Sequence, residues 1–248
     1  MNLGLHLRGS FLSLVIFSAA LVVGACTPDE VTPADDALAA EAALARNDSL
    51  EAARLNRKAA EAGLAVAQFN LGVAYDQGVG VSQDYAAAAN WYRQAADQGN
   101  AGAMFNLALL YYKGRGVPQD YVAAADWYRQ AADQGDVDAQ NNLASMYGIG
   151  RGLTQDYATA AKWYRKAAEQ GSTRAQFNLA QAYFKGQGVA KDLVQAHMWM
   201  NIASGKLQGK ERDDARRYRD DLALKMTAAE IAEAQKMARE WTPVQQAD

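Results

Sequence analysis

The fold is decided by residues 67–102, which read AQFNLGVAYDQGVGVSQDYAAAANWYRQAADQGNAG, because the chain repeats this stretch. Residues 103–138 read AMFNLALLYYKGRGVPQDYVAAADWYRQAADQGDVD, so the repeat is 36 residues long. A third copy starts at Ala139, and a fourth copy with a divergent end starts at Ala175. Tandem repeats of this length are typical of solenoids, in which each unit buries its apolar face by stacking on the next.

Each copy predicts two helices joined by a glycine-rich turn. In the first copy, the four-residue spacing of Ala67, Leu71 and Tyr75 puts these residues on one face of a helix. The glycine pair that follows, Gly114 and Gly116 in the second copy, could suggest a phosphate-binding loop. Because the pair returns in every copy and no strand precedes it, we interpret it as a reversal of the chain between two helices.

The second helix of the first copy is predicted from about Tyr85 to Gln98. Asp84 stands at a good N-cap position, and Gly99 can adopt the left-handed conformation that often ends a helix. The apolar stripe of this helix includes a tryptophan, which we expect in the core. That tryptophan recurs in the four copies as Trp91, Trp127, Trp163 and Trp199.

We therefore predict an all-α protein, an α/α solenoid of helix-turn-helix repeats of 36 residues with capping helices at both ends. Thr32 and Pro33 have the order of a helix start, and the segment up to residue 66 is a degenerate copy of the repeat. Thr227 and Glu230 have the spacing of a capping box. The predicted division is a signal peptide (1–25), a short tether (26–32), a degenerate repeat or cap (33–66), four repeats (67–102, 103–138, 139–174 and 175–210) and C-terminal capping helices (211–241).

The repeats resemble the Sel1-like repeat, a relative of the tetratricopeptide repeat, through the shared pattern A-x-x-x-L-x-x-x-Y-x-x-G-x-G-V-x-x-D-Y-x-x-A-x-x-W-Y-x-x-A-A-x-Q-G. The resemblance implies a right-handed superhelix whose first helices line a concave face. It also implies a scaffold or adaptor that binds a protein or peptide there. Some relatives staple each repeat with a disulfide, but this chain lacks those cysteines.

The N-terminus has the order of a secretory signal: Arg8, an apolar stretch over residues 11–23, small residues and then Cys26, the only cysteine. Those thirteen apolar residues are fewer than the roughly 20 that a membrane-spanning helix needs. Residues 23–26 also resemble the lipobox of bacterial lipoproteins, which implies that Cys26 carries lipid and anchors the protein to a membrane. An ordinary signal peptide is the alternative.

The lipobox resemblance implies a place in the bacterial cell envelope, facing the periplasm. In a Gram-negative cell, Thr27 after the cysteine favours the outer membrane over the inner one.

The composition argues against several other functions. A formal net charge of −3 gives no basic surface for nucleic acid. Apart from Cys26 the mature chain has one histidine, His197, so neither a His/Cys metal site nor a Cys–His nucleophile pair can be assembled. We therefore predict a protein that is not an enzyme and needs no cofactor. A binder of peptidoglycan or another envelope polysaccharide is the alternative, and a cell-wall hydrolase or β-lactamase-like enzyme ranks last.

Positions that differ between copies are the candidates for partner binding, since the stacking of repeats does not dictate them. Val73 and Leu109 occupy one such position on the first helices, and Gln68 and its counterparts occupy another. Tyr112 and Phe184 are the favoured anchors, because exposed aromatic residues contribute strongly to interfaces. Alternatively, these rings merely cover the turn.

Loop and recurrent polar residues complete the candidates. Arg115 and Arg151 lie between the turn glycines, where the copies differ. An asparagine recurs on each first helix, and it could contact a bound peptide or, as we favour, form hydrogen bonds between neighbouring repeats. Arginines four residues before an acidic residue, as in Arg93 and Asp97, predict local ion pairs. The asparagines are Asn70, Asn106, Asn142 and Asn178.

Overall fold

The computed structural model describes residues 31–244, and all regular secondary structure in this part of the chain is helical. From α1 to α11 each helix packs mainly on its neighbours in sequence, which is the arrangement of a solenoid, whereas α12 packs on α10. The predicted fold class is thereby confirmed. The helices are α1 (Pro33–Ala45), α2 (Ser49–Glu61), α3 (Ala65–Gln77), α4 (Tyr85–Asp97), α5 (Ala101–Lys113), α6 (Tyr121–Asp133), α7 (Val137–Ile149), α8 (Tyr157–Glu169), α9 (Thr173–Lys185), α10 (Leu193–Lys206), α11 (Gly209–Ala223) and α12 (Ala228–Glu240).

The signal peptide predicted for residues 1–25 and the candidate lipid site Cys26 lie outside the described residues. Within residues 31–244, every helix is too short or too polar to cross a bilayer.

Side chains cap the helices where the sequence predicts them. Asp84 Oδ1 accepts hydrogen bonds from the backbone N–H groups of Ala86 and Ala87, at 2.9 and 3.0 Å. Thr32 and Thr227 form capping boxes with Asp35 and Glu230. The aspartates at the equivalent positions of the later copies cap α6, α8 and α10; they are Asp120, Asp156 and Asp192.

The first helices begin two residues earlier than the repeat boundaries drawn from the sequence. Asn100 accepts a hydrogen bond from the N–H of Ala103 at 2.8 Å, so that α5 begins at Ala101. Asp136 and Ser172 cap α7 and α9 in the same way. The sequence pattern locates the apolar face of these helices but not the short polar residue that starts them.

The tyrosine next to each repeat tryptophan fills the core. Tyr92 and Tyr128 are each 0% exposed, whereas Trp91 and Trp127 are half-buried. The expectation that the whole tryptophan row lies in the core is therefore wrong. Only the tryptophan of the last copy, Trp199, is buried. Adjacent helical residues point about 100° apart, so the rotation of the helix against its neighbours selects between them.

The two turn glycines have different roles. Gly114 ends α5 in the left-handed conformation, with a φ of 66°. Gly116 also has a positive φ, 69°, and a Cβ at this position would lie 2.2 Å from the backbone carbon of Tyr85 in the preceding repeat. The glycine pair therefore reverses the chain, as predicted, and also lets the turn touch the previous repeat.

A row of arginine–tyrosine contacts connects successive repeats. Arg165 Nη2 donates to the hydroxyl of Tyr183 at 2.7 Å, and Arg129 Nη2 donates to Tyr147 at 3.3 Å. These arginines contact the first helix of the next repeat. The predicted i,i+4 ion pairs, such as Arg93 with Asp97, are therefore not the contacts that they make. We call the pairs Arg57–Tyr75, Arg93–Tyr111, Arg129–Tyr147 and Arg165–Tyr183 the arginine–tyrosine ladder.

The ladder changes at its C-terminal end. One repeat after Arg165, position 201 holds an asparagine. One repeat after Tyr183, position 219 holds an arginine. Arg219 Nη1 donates to Asn201 Oδ1 at 3.4 Å, so the donor and the acceptor have exchanged helices. Helix α11 therefore packs as a modified first helix that closes the array.

Candidate functional site

The candidate residues lie on one row of positions along the first helices. We call this set the first-helix row: Asn70, Val73, Asp76, Asn106, Leu109, Tyr112, Asn142, Ser145, Gly148, Asn178, Gln181 and Phe184. In α5 and α7 the centre of the row is closed, since Leu109 is 1% exposed and Ser145 is 9% exposed, whereas Gly148 at the end of α7 is half-buried. In α3 and α9 it is more open, because Val73, Gln181 and Phe184 are half-buried. Access for a partner is therefore greatest at the two ends of the row.

Tyr112 is not the exposed anchor that the sequence suggests. It is only 8% exposed, and its ring meets that of Tyr121 edge-on with centroids 5.2 Å apart. Arg151 stacks over both rings and donates to the Tyr112 hydroxyl. The alternative that this ring covers the turn is correct. Arg151 joins two repeats here, which limits its use by a partner.

Phe184 remains partly accessible at the C-terminal end of the row. Its ring meets Tyr218 edge-on with centroids 5.7 Å apart. The ammonium groups of Lys225 and Lys191 lie 4.6 and 5.9 Å from the ring centroid. Phe184 therefore combines an accessible ring with positive charge.

Arg115 is exposed, but it is also in contact with a neighbouring repeat. Its guanidinium lies 5.5 Å from the centre of the Tyr85 ring, within the range of a cation–π interaction. Because the residue as a whole remains exposed, Arg115 can contact a partner without leaving Tyr85.

Two of the recurrent asparagines connect neighbouring repeats, in the way that we favoured. Asn178 Nδ2 donates to Asn141 Oδ1 at 3.1 Å, and Asn70 Nδ2 lies 3.5 Å from Asn56 Oδ1 on the preceding helix. Asn106 and Asn142 are buried. Asn70 and Asn178 thus use their amide groups in structural contacts, whereas burial keeps Asn106 and Asn142 away from a bound peptide.

The glutamine position of the first helices is structural too, contrary to the expectation that it is free to vary for binding. Gln68 is buried, and its Nε2 donates to the carbonyl of Ala60 at 3.2 Å. Gln140 and Gln176 repeat this contact with Ala132 and Ala168. A glutamine at this position donates a hydrogen bond to a backbone carbonyl near the end of the preceding second helix.

Asp76 is a buried carboxylate that the sequence analysis did not single out. Its Oδ2 accepts a hydrogen bond from the Tyr92 hydroxyl at 3.3 Å, while its Oδ1 has no partner within residues 31–244. Burial raises the pKa of Asp76 above its ordinary value, against the opposing effects of the Tyr92 hydrogen bond and the Arg115 charge. The signal in the sequence is an acidic residue where the other copies hold Tyr112, Gly148 and Phe184.

Gly72 makes the contact of Asp76 with Tyr92 possible. A Cβ at position 72 would lie 2.6 Å from the Tyr92 ring, so only glycine allows the ring to approach so closely. The other copies have alanine here, at Ala108, Ala144 and Ala180. The pair Gly72 and Asp76 therefore forms a variation specific to the first full repeat.

His197 is buried in α10, at a position where the earlier copies have Ala89, Ala125 and Ala161. Burial and then the charge of Arg219 lower its pKa, and its Nδ1 has no partner within the described part of the chain. In the same part, no three His, Cys, Asp or Glu side chains are grouped so that they could hold a metal ion. The histidine thus occupies a packing position.

Comparisons with known proteins agree with this geometry. The family model described as Sel1 repeat matches residues 65–100, 101–136, 137–172 and 173–205. A solved Sel1 repeat protein from Oxalobacter formigenes is 30% identical, with a TM-score of 0.72 over 84% of this chain and 87% of that chain. No curated protein matches the chain.

A second solved structure is a protective antigen present in uropathogenic Escherichia coli strains, described as displaying an SLR fold. It is 28% identical, with a TM-score of 0.55. The alignment covers 84% of this chain and 53% of that one, so the present chain matches about half of the antigen.

Proposed function

Because this chain belongs to the Sel1 repeat family, we propose that it is an envelope scaffold that binds a protein or peptide at the ends of the first-helix row. Sel1 repeat proteins are typically non-enzymatic scaffolds for protein–protein interactions. The proposal adds a binding surface and a cellular location to this general role.

One observation carries the binding surface: the row is closed in the middle and accessible at its ends. Leu109 and Tyr112 are buried, whereas Val73, Gln181 and Phe184 keep part of their surface in solvent. None of these three accessible side chains is dictated by the repeat, since each differs from its counterparts in the other copies. Phe184 supplies an aromatic contact, and the neighbouring lysines favour an acidic partner segment.

The proposed location depends on the N-terminal sequence. Residues 1–25 have the order of a secretory signal, and Cys26 stands where lipoproteins carry their lipid. One acyl chain gives only marginal membrane binding, so a stable anchor needs more than one lipid chain on this residue. The scaffold would then face the periplasm, from the outer membrane in a Gram-negative host.

Site-specific crosslinking tests the binding surface. We expect a photocrosslinker at position 73 or 181 of the full chain, in its host cells, to capture the same discrete protein. Matched probes at Asn90 and Asp126, which are exposed on the second helices, should not capture it. Capture from positions 90 and 126 alone would contradict the proposed surface. Co-sedimentation of the purified protein with sacculi, without any discrete crosslinked protein, would favour the polysaccharide alternative.

The anchor is tested separately by Cys26→Ala in the full chain. We expect the variant to leave the membrane fraction, since Cys26 is the only cysteine and hence the only candidate site of thiol lipidation. The unchanged protein should incorporate a radiolabelled fatty acid, and Cys26→Ala should not. A variant that stays in the membrane fraction would show that the anchor lies elsewhere.

A further inference from the structure

A cavity of about 470 Å³, widely open to solvent, lies between the C-terminal ends of α10 and α12, away from the first-helix row. A volume of this size is in the range of small-molecule sites. Its lining combines apolar residues with a small number of polar side chains. The lining residues are Asn201, Ile202, Gly205, Lys206, Ala238, Arg239, Trp241 and Pro243.

Contacts on the far side of the lining hold the cavity in shape. The Trp241 ring meets that of Trp199 edge-on with centroids 5.8 Å apart. Lys206 Nζ lies 5.0 Å from the centroid of the Trp241 ring. Beyond the cavity, the backbone N–H of Val244 donates to the carbonyl of Glu169 at 2.8 Å, which ties the segment after α12 to the end of α8. These contacts fix the wall of the cavity that Trp241 and the segment after α12 form.

The polar side chains of the lining are Asn201, Lys206 and Arg239, and each of them can donate a hydrogen bond. Lys206 and Arg239 have no carboxylate partner within residues 31–244, and no acidic residue is among the described residues that line the cavity. Asn201 Oδ1 accepts a hydrogen bond from Arg219 at 3.4 Å, and the same side chain can donate through its amide N–H groups. Two basic side chains, together with the absence of a carboxylate among the described residues of the lining, favour an anionic ligand.

Lys206 and Arg239 also lie in the last turns of their helices, where a positive charge complements the helix dipole. That effect accounts for two basic residues at these positions. It does not account for the cavity between them, or for the apolar floor formed by Ile202 and Ala238. A ligand with both an anionic and an apolar part satisfies the two halves of the lining together.

We infer that this cavity binds a carboxylate carried on a small apolar group, with the carboxylate at Lys206 and Arg239 and the apolar part against Ile202, Trp241 and Pro243. The C-terminus of a peptide with an apolar last residue and a medium-chain fatty acid share this chemistry. The cavity is separate from the proposed scaffold surface, so either proposal can be wrong while the other holds.

Calorimetric titration of the full chain tests the inference with three probes: the tripeptide Ala-Ile-Leu with a free carboxylate, the same peptide with a C-terminal amide, and laurate. We expect the free acid to bind at least about tenfold more tightly than the amide, since a charged hydrogen bond is lost in the amide. Tighter binding of laurate than of the peptide would identify the fatty acid as the source of the carboxylate. Equal binding of acid and amide, or no binding of any carboxylate probe, would overturn the inference.

Variants locate the binding. The double change Lys206→Met and Arg239→Met keeps apolar side chains of similar length and should weaken binding of the preferred carboxylate by about tenfold or more. Lys236→Met is the matched control, because Lys236 is exposed on α12 and lies 4.0 Å from Glu240 instead of in the cavity. Equal affinities of the double variant and the control would place the carboxylate elsewhere. Because the acid–amide comparison uses the unchanged protein, the test survives even if the double variant folds poorly.

Discussion

Arg165 and Tyr183 join the third and fourth repeats through a hydrogen bond of 2.7 Å and a guanidinium that lies 5.9 Å from the ring centroid. A double-mutant cycle with Arg165→Met and Tyr183→Phe should give a coupling free energy of about 1 kcal/mol, measured by urea unfolding. Arg54→Met is the control, since the exposed Arg54 pairs with Glu51 on its own helix and should change stability by less than about 0.5 kcal/mol. A coupling near zero would show that the ladder adds no stability.

Neighbouring aromatic residues in α6 should differ widely in their contribution to stability. Tyr128→Ala should lower the free energy of unfolding by about 3–5 kcal/mol, because the ring is fully buried. Trp127→Ala should cost only about 1–2 kcal/mol, because the indole is half-buried. Denaturant unfolding of the two variants in parallel measures the difference. A larger loss for Trp127→Ala would mean that the tryptophans form the core after all.

Two glycines with a positive φ, Gly99 and Gly116, allow the cost of backbone strain to be separated from the cost of a steric clash. Gly99→Ala should cost about 1 kcal/mol, since its φ is positive but nothing lies within 4 Å of the added Cβ. Gly116→Ala should cost a further ~1–3 kcal/mol, because its Cβ would overlap the backbone of Tyr85. Thermal unfolding of both variants, with Gly99→Ala as the matched control, gives the comparison. Equal losses would show that the turn relaxes away from Tyr85 at little cost.

Asp76→Asn should stabilise the protein at neutral pH. Burial raises the pKa of Asp76 in the folded state above its unfolded value of 3.8, so the folded state binds this proton more tightly and the ionised carboxylate opposes folding at pH 7. The advantage of asparagine should be full above the folded pKa and should vanish as the pH falls below 3.8. Unfolding free energies from pH 3 to pH 7 test this, with Asp97→Asn, on the exposed surface of α4, as the control. A destabilised Asp76→Asn protein at pH 7 would mean that the charge of Arg115 outweighs burial.

Much of the fold could be predicted from the sequence because its signals are local and recur. Asp84 caps α4 through its own neighbours, and Thr227 forms its capping box with Glu230, so short stretches of sequence contain the whole interaction. The repeat length then implies stacking, because one helix pair cannot bury its own apolar face. The solenoid and the family are confirmed on these grounds.

The candidate site was less predictable because it depends on the rotation of each helix against its neighbours. Arg93 has an acidic residue four positions ahead, yet it donates to Tyr111 on the next first helix. Tyr112 is variable between copies, which suggested exposure, but stacking brings Tyr121 and Arg151 onto its ring. Variation between copies therefore marks positions that the repeat does not dictate, without showing whether solvent reaches them.

The arginine–tyrosine ladder has a consequence for how this protein can change in length. Each arginine meets a tyrosine 18 residues later, so a whole repeat that is duplicated or deleted inside the array leaves an identical junction on both sides. An insertion of any other length would put the arginine opposite the wrong residue. At the last junction Asn201 and Arg219 have exchanged the two roles, so a repeat added after α10 would find no matching partner. Gene duplication can therefore lengthen this array in steps of one repeat inside the array, but not after α10.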